Sequence, residues 1–142
     1  MQATELLQSM IAPLAPFGLR GFLWYQGESN CLHGDVDLYD KRMQALVSGW
    51  RNTWGDELLP FYFALLAPFT YSSFDSPAPP LTAEALPLFW EAQAQACNQI
   101  PNTACIVTSD LVDDVTDLHP TNKRDVGLRF ASLALEHTYG RT

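Results

Sequence analysis

His119 is the residue best suited to chemistry in this 142-residue chain. It lies in the polar run DDVTDLHPTN, with carboxylates at Asp113, Asp114 and Asp117. A carboxylate bonded to one imidazole nitrogen fixes the tautomer and stabilises the cation formed when the other nitrogen takes a proton. The competing reading is a surface histidine beside solvated acids. The second candidate is the block Gln26-Gly27-Glu28-Ser29-Asn30, which follows the apolar run GFLWY. The amides of Gln26 and Asn30 and the backbone N–H of Gly27 are suitable donors to a developing oxyanion. Glu28 can orient its neighbours or hold the loop by accepting backbone N–H bonds. The alternative here is a turn whose side chains only satisfy buried backbone groups. Ser29 invites the role of nucleophile, but the strained elbow G-x-S-x-G needs glycine two residues after the serine, and Cys31 stands there. The order Ser29, Asp, His119 still leaves an α/β-hydrolase-like esterase open. His33, in a Gly- and Asp-bearing loop, reads as exposed, and His137 as a complement to a helix C-terminus.

These groups need a scaffold, and the hydropathy pattern supplies one. GFLWY (21–25) reads as a short buried strand bounded by glycine. From Leu38 to Trp54 the apolar residues Tyr39, Met43, Leu46, Val47, Trp50 and Trp54 recur at helical spacing, and Gly55 stops the helix. LPFYFALLAP (59–68) is a second strand. Residues 69 to 81, rich in Ser and Pro, form a long loop of the kind that often carries function. Leu86, Phe89, Trp90, Ala94, Cys97 and Ile100 mark a second helix, with Pro87 tolerable in its first turn. TACIVTSDLV (103–112) is a third strand, and Thr121 or Asn122 caps a last helix carrying Val126, Phe130, Leu133 and Ala134. Continuous apolar strands alternating with amphipathic helices predict an α/β domain with a parallel sheet covered on both faces. Sites in such sheets lie beyond the carboxyl ends of the strands. Both polar blocks fall there, so QGESN and DLHP should share one edge.

Composition bounds the partners. Eight basic against sixteen acidic residues give a net charge of −8, which disfavours nucleic acid and anionic membranes as partners. No apolar run reaches membrane-spanning length, and no signal peptide is read at the start. Cys31, Cys97 and Cys105 are an odd count without a C-x-x-C, which gives neither a disulfide framework nor zinc-ligand spacing. Cys97 and Cys105 read as small core residues, while Cys31 stands close enough to the polar block for a chemical role to be considered. No metal or organic cofactor is implied.

WYQGESN and DLHPTNK together resemble the C-terminal signature blocks of the sialate O-acetylesterase-like carbohydrate esterases of the SGNH/GDSL hydrolase superfamily. MIAPLAPFGLRGFLWYQGESN, WRNTWGDELLPFYFALLAP, LPLFWEAQAQA and TSDLVDDVTDLHPTNKRDVGLRFA are similar to family segments, in family order. The resemblance implies a flavodoxin-like three-layer α/β/α sandwich that hydrolyses O-acetyl esters on sugars with a Ser, a His base and an orienting Asp. It places the base at His119 and the acid at Asp117. Many superfamily relatives carry the acid three residues before the His, where Thr116 stands here, so Asp113 and Asp114 remain substitutes. It places the oxyanion contacts at Gln26 and Gly27, with Glu28 and Asn30 beside them in the substrate-binding block. Relatives often have a basic residue at the position of Trp90. The family's N-terminal GQSN- or GDS-like serine block has no counterpart in the chain, and Ser9, in LLQSM, reads as part of a helix end. Residues 1–142 therefore read as the C-terminal portion of one esterase domain whose partners are an acetylated carbohydrate and a Ser-bearing N-terminal segment. Without that segment an apolar sheet edge or face should stand uncovered. A non-catalytic remnant that binds an acylated sugar or a partner subunit is the alternative. A periplasmic or secreted location follows only if the full-length protein carries a signal peptide.

Overall fold

The computed structural model describes residues 3–15, 17–74 and 80–141. The N-terminal segment is helical: α1 (Ala3–Leu6), a π-helical turn (Leu7–Ile11) and a 3-10 turn (Ala12–Leu14). Ser9 lies in the π turn and donates its hydroxyl to Glu5 O at 2.6 Å. Strand β1 (Phe22–Trp24) leads into α2 (Glu28–Leu32) and α3 (Val36–Trp54). Strand β2 (Phe61–Ala64) is followed by α4 (Ala85–Gln99), β3 (Thr103–Ile106) and α5 (Lys123–His137).

The three strands are parallel in the order β1-β2-β3, with Phe22 opposite Phe61 and Phe63 opposite Cys105. Side chains alternate across the sheet, so Phe61 and Phe63 enter one core with Tyr39, Met43 and Val47 of α3 and Phe89 and Ala96 of α4. Tyr62 and Ala64 enter a second core with Ile106 and with Val126 and Phe130 of α5. All four β2 residues are buried, which is why this run carries no polar alternation. The result is helices, sheet, helix in three layers.

Strand β1 corrects the expectation of full coverage. Phe22 and Trp24 pack on the α3 side, but Leu23 is 61 % exposed. Met10, Leu14 and Phe17 are exposed as well, and a cavity of about 330 Å³ lies among Leu14, Phe17, Leu23 and Trp54. Among the described residues β1 pairs only with β2, which leaves its other edge unpaired and Leu23 open on its face.

The strands are shorter than their apolar runs. β3 ends at Ile106 rather than Val112 because Thr108 turns its hydroxyl to Leu65 O (2.9 Å) and Ser109–Leu111 closes a 3-10 turn. The helix stops are local. Gly55 takes a left-handed conformation (φ 70°), and the N–H groups of Gly55 and Asp56 donate to Asn52 O and Arg51 O, the double closure that ends α3. At α5, Asn122 Oδ1 accepts the Asp125 N–H (3.2 Å), while Asn122 Nδ2 donates to Asp125 Oδ2 (3.0 Å). Asn122→Ala removes this cap and should cost about 1 kcal/mol in urea unfolding. An unchanged midpoint would show that the cap carries no stability. In the long loop after β2, Tyr71–Ser73 forms a 3-10 turn, and residues 75–79 lie outside the described residues.

Candidate active site

Because the strands are parallel, the segments after β1 and β3 leave the same edge of the sheet. Side chains tie that edge together. Thr108, beyond β3, donates its hydroxyl to Leu65 O beyond β2, and it works against the burial that raises the Tyr25 hydroxyl next after β1. The Lys123 ammonium at the start of α5 stands 4.9 Å from the centre of the Tyr25 ring, a cation–π contact. The loop after β2 joins the loop after β3 where Thr70 N–H and Thr70 Oγ1 both donate to Val115 O (2.9 and 2.8 Å). Leu118, beside His119, packs on the α3–α4 core. QGESN and DLHP thus share one edge, as the strand pattern predicted.

Gly27 turns the chain from β1 into α2 at a place where nothing larger fits. A Cβ there would lie 2.9 Å from Phe89 Cε1 and 3.2 Å from Leu66 Cγ. Its N–H donates to Glu28 Oε2 (3.0 Å), so this donor is already engaged. Gln26 Nε2 donates to Asn30 Oδ1 (3.0 Å), and Asn30 Nδ2 donates to Asp35 Oδ2 (3.3 Å), which also pairs with Arg42. That relay orients the Gln26 amide and leaves its second N–H free of partners among the described residues. Ser29 is exposed on α2. Its carbonyl, not its hydroxyl, meets the His33 ring (Nδ1 to O, 2.5 Å), so among the described residues no base is placed to activate it as a nucleophile.

Beneath this block Cys31 and Tyr71 are buried within reach of the Glu28 charge. Burial, then the Glu28 charge, pushes the Cys31 thiol up to about 12, which leaves it protonated and unreactive at neutral pH. Burial also raises the Tyr71 hydroxyl, reinforced by Cys31, Glu28 and Tyr25, and the Tyr71 oxygen has no hydrogen-bond partner among the described residues.

His119 is exposed. Its backbone N–H donates to Asp117 Oδ1 (2.8 Å), which curls the loop so that the Asp117 carboxylate turns back toward residue 119. The imidazole makes no hydrogen bond among the described residues. Asp114 is occupied differently: its Oδ1 accepts both the N–H and the hydroxyl of Thr116 (2.8 and 2.6 Å), donors that hold its carboxyl below the usual range. Asp113 is exposed. Among the described residues no group of three His, Cys, Asp or Glu side chains is placed to hold a metal ion.

Gln93 escaped the sequence reading, and Trp90 reads there only as an apolar helix position. Gln93 is fully buried on α4; its Oε1 accepts the Leu66 N–H (2.8 Å), and its Nε2 reaches Tyr39 Oη and Ala64 O, both at 3.4 Å. Trp90 Nε1 donates to Leu66 O (2.7 Å). Together they clamp the chain as it leaves β2. Gln93 sits on the row Phe89, Gln93, Ala96, Ile100, and that helical spacing was the available signal for a buried amide.

A parallel sheet with a His–Asp loop and a block of oriented amides on its carboxyl edge is the layout of an α/β domain built to act on a ligand. The model of the family "carbohydrate esterase, sialic acid-specific acetylesterase" matches residues 2–136, and the chain belongs to that family. It is 31 % identical over 150 residues to the sialate O-acetylesterase of Rattus norvegicus and 30 % to that of Homo sapiens. Those matches cover 95 % of this chain but only 26 % and 27 % of the relatives, so the chain spans about a quarter of their length. The structure superposes on a carbohydrate acetylesterase from Xanthomonas citri with a TM-score of 0.78 and 38 % identity, over 94 % of this chain and 29 % of that one.

Proposed function

We propose that this chain supplies the base, the orienting acid and the oxyanion-binding block of a carbohydrate O-acetylesterase, sialate esters included. The serine nucleophile comes from a segment outside these residues. The observation that supports this reading most directly is that QGESN and DLHP follow β1 and β3 off the same edge of a parallel sheet, in a chain of an acetylesterase family.

In the mechanism, His119 takes the proton of the serine hydroxyl as its oxygen attacks the acetyl carbonyl. Negative charge then develops on the carbonyl oxygen, where the free N–H of the Gln26 amide stabilises it. Gly27 joins only if Glu28 releases its N–H; in its present position Glu28 shapes the turn. The imidazolium returns its proton to the departing sugar hydroxyl, and water, activated by His119, then cleaves the acetyl-serine. Asp117 already accepts the His119 backbone N–H through Oδ1, and its other oxygen is left to accept from a His119 ring nitrogen.

The test compares the acids in the full-length esterase. Asp117→Asn keeps an oxygen for the His119 N–H but removes the charge that stabilises the imidazolium, so turnover of an O-acetyl sugar should fall by roughly 10³-fold. Asp114→Asn keeps the acceptor for Thr116 and should cost far less, as should Asp113→Asn. A larger loss in Asp114→Asn than in Asp117→Asn would move the acid to Asp114. Full activity in Asp117→Asn would sink the triad reading.

A further inference from the structure

The loop after β2 and the start of α4 enclose a recess of about 300 Å³ that neither polar block accounts for. Phe69, Thr70 and Ser72 line it from the loop, and Thr82, Ala83 and Trp90 complete the wall. Two of these residues tie it to the candidate active site. Thr70 holds Val115 O, in the loop that carries His119, through its N–H and its hydroxyl (2.9 and 2.8 Å). Trp90 donates Nε1 to Leu66 O (2.7 Å), and Leu66 with Phe89 is the surface on which Gly27 turns. Resting on the esterase reading above, we propose that this recess is the subsite for the sugar ring of the acetylated substrate. A pyranose lies there with its C–H face on the Phe69 and Trp90 rings and its hydroxyls toward Thr70, Ser72 and Thr82.

Size, charge and chemistry all fit that ligand. Small-molecule sites run from about 300 to 1,000 Å³, so this recess takes one sugar ring rather than a chain. Among the described residues none that lines it is charged. A pyranose is amphipathic in the same way: one face is a patch of C–H bonds, and the hydroxyls stand around the rim. Those weakly positive C–H bonds meet the negative face of an aromatic ring favourably. Both rings are fixed before any ligand arrives. Phe69 packs edge-to-face on Tyr71 (5.0 Å) and on Phe74 (6.3 Å), and the bond to Leu66 O holds the Trp90 indole. Rings already held lose little freedom when a ligand stacks on them. Ser72 and Thr82 are exposed, so their hydroxyls stand free to meet the rim of the sugar, and the Thr70 hydroxyl keeps lone pairs to accept with. Because the acetyl group is tethered to the ring, holding the ring restricts where the ester lies along the edge that carries His119 and Gln26.

The test uses the full-length protein and the variant Ala83→Trp, which fills the recess from an exposed position and removes no buried contact. Rates are measured on an O-acetylated methyl β-D-galactopyranoside and on ethyl acetate, an acetyl ester without a ring. The ratio of kcat/KM on the glycoside to kcat/KM on ethyl acetate should fall at least about tenfold, carried by KM. Phe69→Ala should lower the ratio in the same direction. Ring binding is read separately by saturation-transfer NMR with methyl β-D-galactopyranoside, which needs no hydrolysis. Its ring protons should take up saturation from the wild-type protein and lose it in Ala83→Trp. An unchanged ratio, a parallel loss on both esters, or ring-proton saturation that is absent from the wild type or equal in both proteins overturns the subsite. A wild-type protein that binds the glycoside in this way but hydrolyses neither ester keeps the subsite and removes the esterase reading.

Discussion

On the proposed mechanism, His119→Ala should lower kcat by roughly 10³-fold or more in the full-length protein. Nucleophile, base and orienting acid act as a unit, so losing the base leaves only what the oxyanion block and substrate binding contribute. The fold should not notice. His119 is exposed and its ring holds no hydrogen bond among the described residues, while the loop is held by its backbone N–H on Asp117 and by Thr70 on Val115. Alanine keeps that N–H. The unfolding free energy should therefore stay within about 0.5 kcal/mol of the parent. Initial rates on an acetylated sugar, with urea unfolding of the same preparation, separate the two effects. Activity within tenfold of wild type would remove His119 from the mechanism, and a large loss of stability would show that the residue is structural.

Phe89→Ala should have the largest effect on stability. Phe89 is fully buried, meets Tyr39 edge-to-face at 4.6 Å, and forms the wall against which Gly27 turns. Truncating a buried phenylalanine costs about 3–5 kcal/mol through lost transfer energy and the cavity left behind. A domain stable by about 5–15 kcal/mol would lose a large share of its margin. The same geometry makes a second-order claim. Gly27→Ala should be destabilising in the wild type, where the new methyl meets the Phe89 ring, and less so in the Phe89→Ala background, where the cavity receives it. Strictly additive costs in urea unfolding would mean that Phe89 does not set the space at Gly27.

Local chemistry made much of this molecule legible before any coordinates. The apolar runs at 21–25, 59–68 and 103–112 and the helical spacing of Tyr39, Met43 and Val47 or of Val126 and Phe130 are local patterns, and each holds the strand or helix it predicted, the strands shortened at their ends. Gly55 and Asn122 mark helix ends because each acts on backbone within a few residues. The common edge of QGESN and DLHP followed from one rule about parallel strands.

What stayed hidden depended on pairs far apart in the chain. Arg51 continues the row Tyr39, Met43, Val47 and looks like its solvated end, yet it is buried and binds Leu59 O and Pro101 O at 2.9 and 2.7 Å. Gln93 is a polar residue inside an apolar row for the same reason: each satisfies backbone groups that the sheet leaves unpaired where its strands begin or end. Leu23 reads as buried but is exposed, because coverage depends on what lies against the other face. The hold of Glu28 on the Gly27 N–H and the turn of Asp117 toward His119 are matters of direction at the scale of one bond. Periodicity assigns a side chain to a face, but only packing against distant elements decides which atom it meets there.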